Sequence, residues 1–144
     1  MVEIFESKIE DAERIGELIP EFDPLYIQKN IHKLENSKTL ILSASISKKD
    51  AGYAICYDRY NDGSTYLWLL GVVPEAREHG VMNALMQYIY NWAKKEGYKS
   101  IKVKTQNFRK AMLIALIKNG FNFLEVEDSE DINTSKILLE KLLI

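Results

Sequence analysis

The chain has 144 residues, 47% of them hydrophobic and 28% charged, the size and balance of one domain over residues 1–144 with a buried core and no disordered tract. Its formal net charge of -2 lacks the basic footprint of a nucleic-acid binder, and its one cysteine, Cys56, excludes an internal disulfide and a cysteine-based metal cluster. His32 and His79 stand far apart without a metal motif, no apolar run has the length of a membrane span, and the acidic opening MVEIFESKIE is unlike a signal peptide, so a cytoplasmic protein with no membrane or nucleic-acid partner is expected.

Residues 2–6 alternate well enough for a first strand. Asp11 is placed to cap a helix with apolar positions Ala12, Ile15, Leu18 and Ile19, ended by Pro20. A second helix carries Leu25, Ile27, Ile31 and Leu34, with Asp23 near its start and Pro24 in a tolerated first-turn position. Residues 39–46 have period two. The turn Lys48-Lys49-Asp50 leads to an apolar strand over 51–57, and the pair reads as an antiparallel hairpin. Asn61-Asp62-Gly63-Ser64 signals another turn, into the run YLWLLGVV at 66–73, which suits a strand buried on both faces.

Pro74 stops that strand, and a polar turn with Arg77 and Gly80 follows. Val81, Ala84, Leu85, Tyr88, Ile89, Trp92 and Ala93 then recur at helical spacing until Lys94, Lys95 and Gly97 close the helix. Ile101, Val103 and Thr105 alternate with Lys102, Lys104 and Gln106, and the helix between requires this strand to run parallel to the central one. Asn107 is placed to cap a helix bearing Met112, Leu113, Ala115, Leu116 and Ile117, closed by Lys118-Asn119-Gly120. Strands at 121–126 and 135–142 flank an acidic turn. The order βααβββαβαββ implies one α/β sheet with helices on its faces.

The strand, tight loop and helix from 66 to 97 have a chemical use. The first N–H groups of a helix lack partners within it and, with the positive end of the helix dipole, attract an anion. Gly80 has no side chain to obstruct a phosphate, and Arg77 carries a donor fork suited to its oxygens.

Three stretches, in register with this order of elements, resemble the GNAT superfamily of acyl-CoA-dependent N-acetyltransferases. Gly71-Val72-Val73-Pro74-Glu75-Ala76-Arg77-Glu78-His79-Gly80-Val81-Met82 is similar to the family's pyrophosphate loop. Thr105-Gln106-Asn107 matches the place of an asparagine at the pantetheine arm, and Lys118-Asn119-Gly120-Phe121 matches the family's usual helix end. The similarity covers roughly residues 39–126. It implies a mixed, mostly antiparallel central sheet with helices on both faces, acetyl-CoA as co-substrate, no metal, an amine on a small molecule or protein as acceptor, and a homodimer as one oligomeric form. Leu70, Gly71, Val72, Arg77, Glu78, His79, Gly80, Val81, Met82, Asn83, Asn107 and Lys110 are the cofactor-binding residues it implies, with Arg109 and Lys110 suited to the 3′-phosphate. Met82 departs from the small residue expected there, and Leu116 stands where many members carry a tyrosine that protonates the leaving thiolate.

The implied reaction is direct transfer to an amine, helped by proximity and a hydrogen bond to the developing oxyanion. Period two puts Tyr66, Trp68, Leu70 and Val72 on one face, and Tyr66 stands where some members place a catalytic glutamate. Its phenol is the candidate proton relay, with a core tyrosine as the alternative. Glu21, Phe22 and Tyr26 are the candidate acceptor-binding residues. Glu21, Asp23, Asp58 and Asp62 outnumber Arg59 around the acceptor's side and would draw in a cationic amine. A catalytically silent acyl-CoA-binding domain and a scaffold that kept only the fold are the alternative functions.

Overall fold

In the computed structural model, which describes residues 1–144, seven strands form one sheet in the order β1-β2-β3-β4-β5-β7-β6. The strands are β1 Val2–Glu6, β2 Thr39–Ile46, β3 Lys49–Tyr57, β4 Ser64–Val72, β5 Ser100–Gln106, β6 Asn122–Glu127 and β7 Lys136–Leu142. Only β4 and β5 pair in parallel; every other neighbour is antiparallel. The helices are α1 Ile9–Gly16, α2 Tyr26–Asn30, α3 Val81–Lys95 and α4 Lys110–Lys118. The expected order, both hairpins and the parallel crossover are all present.

Neighbouring residues of β3 show how the helices are layered. A Cβ added at Gly52 would lie 3.0 Å from Val81 of α3, whereas the ring of the next residue, Tyr53, lies against Gly16 of α1. Successive strand residues point to opposite faces, so α1 and α3 cover opposite sides of the sheet. The stripe predicted for α3 does the burying, with Val81, Leu85, Ile89 and Ala93 at 0–1% exposure. α4 lies beside α3, where Asn119 Nδ2 donates to Asn83 Oδ1 at 3.4 Å. β6 ends the sheet, and all six of its residues are exposed.

Several local expectations are corrected. Asp11 is not the N-cap of α1: that is Lys8, whose backbone N–H donates to Asp11 Oδ2 at 3.0 Å from the third helical position. α1 ends at Gly16, so Leu18 and Ile19 fall outside it, although Ile19 is still buried. The second helix is one short piece, Tyr26–Asn30, continued by a 3₁₀ turn over Ile31–Leu34. The β2–β3 turn is tighter than expected. It consists of Ser47 and Lys48, both at positive φ, and Lys49 already begins β3, the two-residue connection that matches strand twist. Asn107 does not cap α4, whose N-cap is Arg109.

The correction that matters most for function lies in β4. Tyr66 pairs with Tyr57 and Leu67 with Cys56, but Ile55 pairs with Leu69, leaving Trp68 as the extra residue of a β-bulge. Beyond it the face of Tyr66 passes to Leu69 and Gly71. Leu70 and Val72, opposite Ala54 and Gly52, turn to the α3 side. Strict period two across this strand therefore fails.

Candidate active site

The bulge bends β4 where its parallel ladder stops. Pairing with β5 runs from Ser64–Ser100 to Leu67–Val103, while β4 continues to Val72 and β5 to Gln106. The strands part there, and the opening is a cleft of about 1440 Å³. Tyr66, Leu70, Gly71, Val72, Arg77, Glu78, Gly80, Val81, Met82, Asn83 and Lys110 all line it, as do Glu21, Phe22 and Tyr26. His79 and Asn107 are not among its walls. His79 Nδ1 lies 2.7 Å from the Arg77 carbonyl. Asn107 donates to the Ile132 carbonyl at 3.2 Å and accepts from Lys110 Nζ at 2.9 Å, so it braces the α4 approach against the β6–β7 connection.

One end of the cleft presents free backbone donors. Glu78 and Gly80 both have positive φ, 66° and 82°, which curls the loop so that α3 begins at the cleft wall. No side chain caps that helix, and the N–H groups of Val81, Met82 and Asn83 find no acceptor within the chain. A Cβ added at Gly80 would meet nothing within 4 Å, so the space in front of these donors is clear. A pyrophosphate fits this donor set and its electrostatics. Arg77 is turned elsewhere: its Nε donates to the Val72 carbonyl at 3.2 Å and its Nη2 to Glu21 Oε2 at 2.7 Å, tying the loop to the segment between α1 and α2.

The other end is aromatic. Tyr57 meets Tyr66 and Trp68 edge-on at 5.7 Å each, Tyr60 meets Tyr66 at 5.8 Å, and Tyr26 lies 5.9 Å from Trp68. Gly71 keeps this wall close, because a Cβ there would fall 2.5 Å from the Phe22 ring and 2.6 Å from Ile19. Burial pushes the Tyr66 phenol up to about 12, with Arg59 pulling partly the other way. Leu116 is fully buried in the core and supplies nothing to the cleft.

The expected acidic funnel is not there. Glu21 is paired with Arg77, and Asp23 Oδ1 accepts from the Leu25 N–H at 2.9 Å. Asp58 accepts from the Asn61 N–H and the Tyr98 hydroxyl, and Asp62 pairs with Lys102 at 2.7 Å; neither lines the cleft. Asp23 and Asp58 are taken up by N–H groups of their own turns, whereas Glu21 and Asp62 are paired with Arg77 and Lys102 from distant parts of the chain. Sequence reasoning missed Lys33 and Lys104 as wall residues, and put Trp68 on the Tyr66 face without giving it a role. The parallel pairing of Tyr66 with Lys102 was the available signal, since it puts the lysines of β5 on the Tyr66 face.

The Asp62–Lys102 pair ties the β3–β4 turn to β5. The Lys102 ammonium, then the Ser64 hydroxyl, hold the Asp62 carboxyl down at about 2, against 3.8 for a free carboxyl. A lowered folded-state pKa gives stability that is present above about 3.8 and lost as the pH falls through 2. Thermal melts of the native chain and Asp62→Asn should therefore differ at pH 6 and converge toward pH 2; a gap unchanged across that range would remove the pair from the stability account.

A splayed parallel pair, an uncapped helix start on one wall and an aromatic pocket on the other make up the cleft, and comparison with known proteins gives the family of the fold that carries it. The sequence profile of the acetyltransferase (GNAT) family matches residues 3–121, and the chain belongs to that family. Among solved structures it is similar to the ribosomal-protein-S18-alanine N-acetyltransferase of Escherichia coli, at 16% identity and a TM-score of 0.79, covering 99% of this chain and 94% of that one. Ard1 from Thermoplasma volcanium matches at 14% identity and a TM-score of 0.79, covering 99% and 98%. A Bacillus subtilis acetyltransferase in complex with CoA matches at 16% and 0.76, again covering 99% and 98%. Likeness at these identities is one of fold. No curated protein matches the sequence. No helix is long and apolar enough to cross a membrane, and no three His, Cys, Asp or Glu side chains gather where they could hold a metal.

Proposed function

We propose that the chain is an N-acetyltransferase that moves an acetyl group from acetyl-CoA to a primary amine by direct transfer. The observation that carries this reading is the clear, uncapped start of α3 opening onto the same cleft as the unpaired end of β4. In this reading the N–H groups of Val81, Met82 and Asn83 hold the pyrophosphate, and Arg109 and Lys110, which also line the cleft, are suited to the 3′-phosphate. The backbone of Leu70 to Val72, freed from β5, aligns the pantetheine arm and donates to the developing oxyanion. Acetyl-CoA supplies a thioester whose C–S bond breaks as the amine's N–C bond forms, one amine proton ending on the thiol.

An acceptor amine arrives mostly protonated at neutral pH and must lose a proton before it attacks. Tyr66 is the group placed to pass that proton outward, as a neutral phenol and not as a phenolate. Leu116, buried and apolar, supports a second reading in which the domain binds acyl-CoA without turnover. Thiol release from acetyl-CoA across a panel of amines decides between them: release matched by acetylated amine is expected, whereas tight CoA binding in calorimetry without release would establish the silent domain. Absence of CoA binding would leave only a scaffold.

A further inference from the structure

The acceptor half of the cleft has the opposite charge from the one its sequence implies. Arg59 projects from the β3–β4 turn and rests on two rings, 4.7 Å from the Tyr66 centroid and 5.3 Å from that of Tyr60. Such contacts fix a guanidinium without neutralising it. Lys33 lies 5.8 Å over Trp68 on the facing wall. The chain has six ion pairs, and none includes Arg59, Lys33 or Lys136. All three line the cleft.

Most of the carboxylates nearby have partners, and those of Asp62, Glu127 and Glu21 are paired with cations, Lys102, Lys104 and Arg77 in turn, while Asp23 is held by a backbone N–H. Glu13 on α1 also borders the cleft and has no cation partner, so three cations, Arg59, Lys33 and Lys136, face two unpaired acids, Glu13 and Asp23. What remains around Tyr66 and Trp68 is an aromatic floor with unpaired cations on its rim. A cleft of this kind repels a simple diamine. It suits an amine that also carries an anionic group able to take both donors of a guanidinium fork.

Resting on the acetyltransferase reading, we propose that the acceptor is a small amino carboxylate of the amino-acid class. Its carboxylate is received by Arg59 with Lys33 or Lys136, and its side chain, flat or apolar, lies on Trp68 and Tyr26. The amine is thereby aimed at Tyr66. Arg59 is a specificity residue here, since it holds the acceptor and touches no bond that changes.

The test compares amino acids with their carboxamides, which keep the side chain but lose the carboxylate charge, with kcat/KM expressed per neutral amine because the amide also lowers the pKa of the amine beside it. In the native protein kcat/KM for the acid should exceed that for the amide by at least about tenfold, the scale of one charge-assisted pair. Arg59→Gln should erase that preference by bringing kcat/KM for the acid down to the level of the amide, and an unchanged affinity for acetyl-CoA reports that the fold and the cofactor end are intact. Equal or faster reaction of the amides in the native protein overturns the proposal, as does a preference that survives in Arg59→Gln. If no amine turns over, the acetyltransferase reading fails instead, and a binding arm still decides this one. Calorimetry of the CoA-saturated protein with N-acetylated amino acids and their amides should show tighter binding of the acids, and equal affinities overturn the proposal whatever the turnover.

Discussion

Gly80→Asp is expected to weaken acetyl-CoA binding by about a hundredfold or more while leaving the protein folded. Gly80 is the N-cap of α3 at φ 82°, and a side chain there meets no neighbour. Any side chain at this left-handed φ carries strain of about 1 kcal/mol or more, although aspartate is among the residues that adopt the conformation most readily. The substitution thus puts a carboxylate beside the N–H groups where the pyrophosphate belongs. Like charges in contact cost several kcal/mol, and about 2.7 kcal/mol already corresponds to a hundredfold. Calorimetry with acetyl-CoA and a thermal melt separate affinity from strain: a melting temperature lowered by a few degrees with lost affinity is the expected result, and undiminished affinity in a folded variant would move the cofactor away from α3.

Tyr66→Phe should lower kcat about tenfold to a hundredfold, the lower end of what positioned proton transfer contributes, with acetyl-CoA affinity unaltered. The ring stays, so Tyr57 and Tyr60 keep their edges against it and Arg59 keeps its seat; only the hydroxyl is lost. The pH profile sharpens the reading. Burial holds the phenol at about 12, so it stays protonated throughout the working range, and its own ionisation cannot shape the rate there. The rate should climb with pH as the acceptor amine loses its proton and show no inflection from Tyr66 below about pH 11. Native turnover in the phenylalanine variant would make Tyr66 a packing residue and leave the proton to solvent.

The parts of this site that were legible in the sequence are those fixed by neighbours close along the chain. The apolar run at 66–73, Pro74, Gly80 and the stripe from Val81 to Ala93 together dictate strand, loop and helix, and the helix start follows from them. Asp11 was placed on the right turn but given the wrong position, because Lys8, a residue with no preference for caps, supplies the N-cap. The bulge at Trp68 was not legible, since it is a property of two strands in register and not of one. Neither was the charge of the acceptor pocket. Whether Asp62 and Glu127 stay free depends on Lys102 and Lys104, which the fold brings to them from 40 and 23 positions away. Counting acids and bases along the chain gave the sign of the sum and missed the sign of what was left over.

The short parallel ladder between β4 and β5 also has a mechanical meaning. Four register pairs, Ser64–Ser100 to Leu67–Val103, are the whole strand ladder between a four-strand half-sheet and a three-strand one, with the Lys99 N–H to Gly63 carbonyl bond and the Asp62–Lys102 pair at its end, and α3 is the main element packed across both. This line is the natural crease of the molecule, where the least hydrogen bonding must be given up for the halves to tilt. A ligand lodged in the wedge touches both sides of the crease and works as a spacer, so filling the cleft should slow amide exchange along β4 and β5 well beyond the residues it contacts.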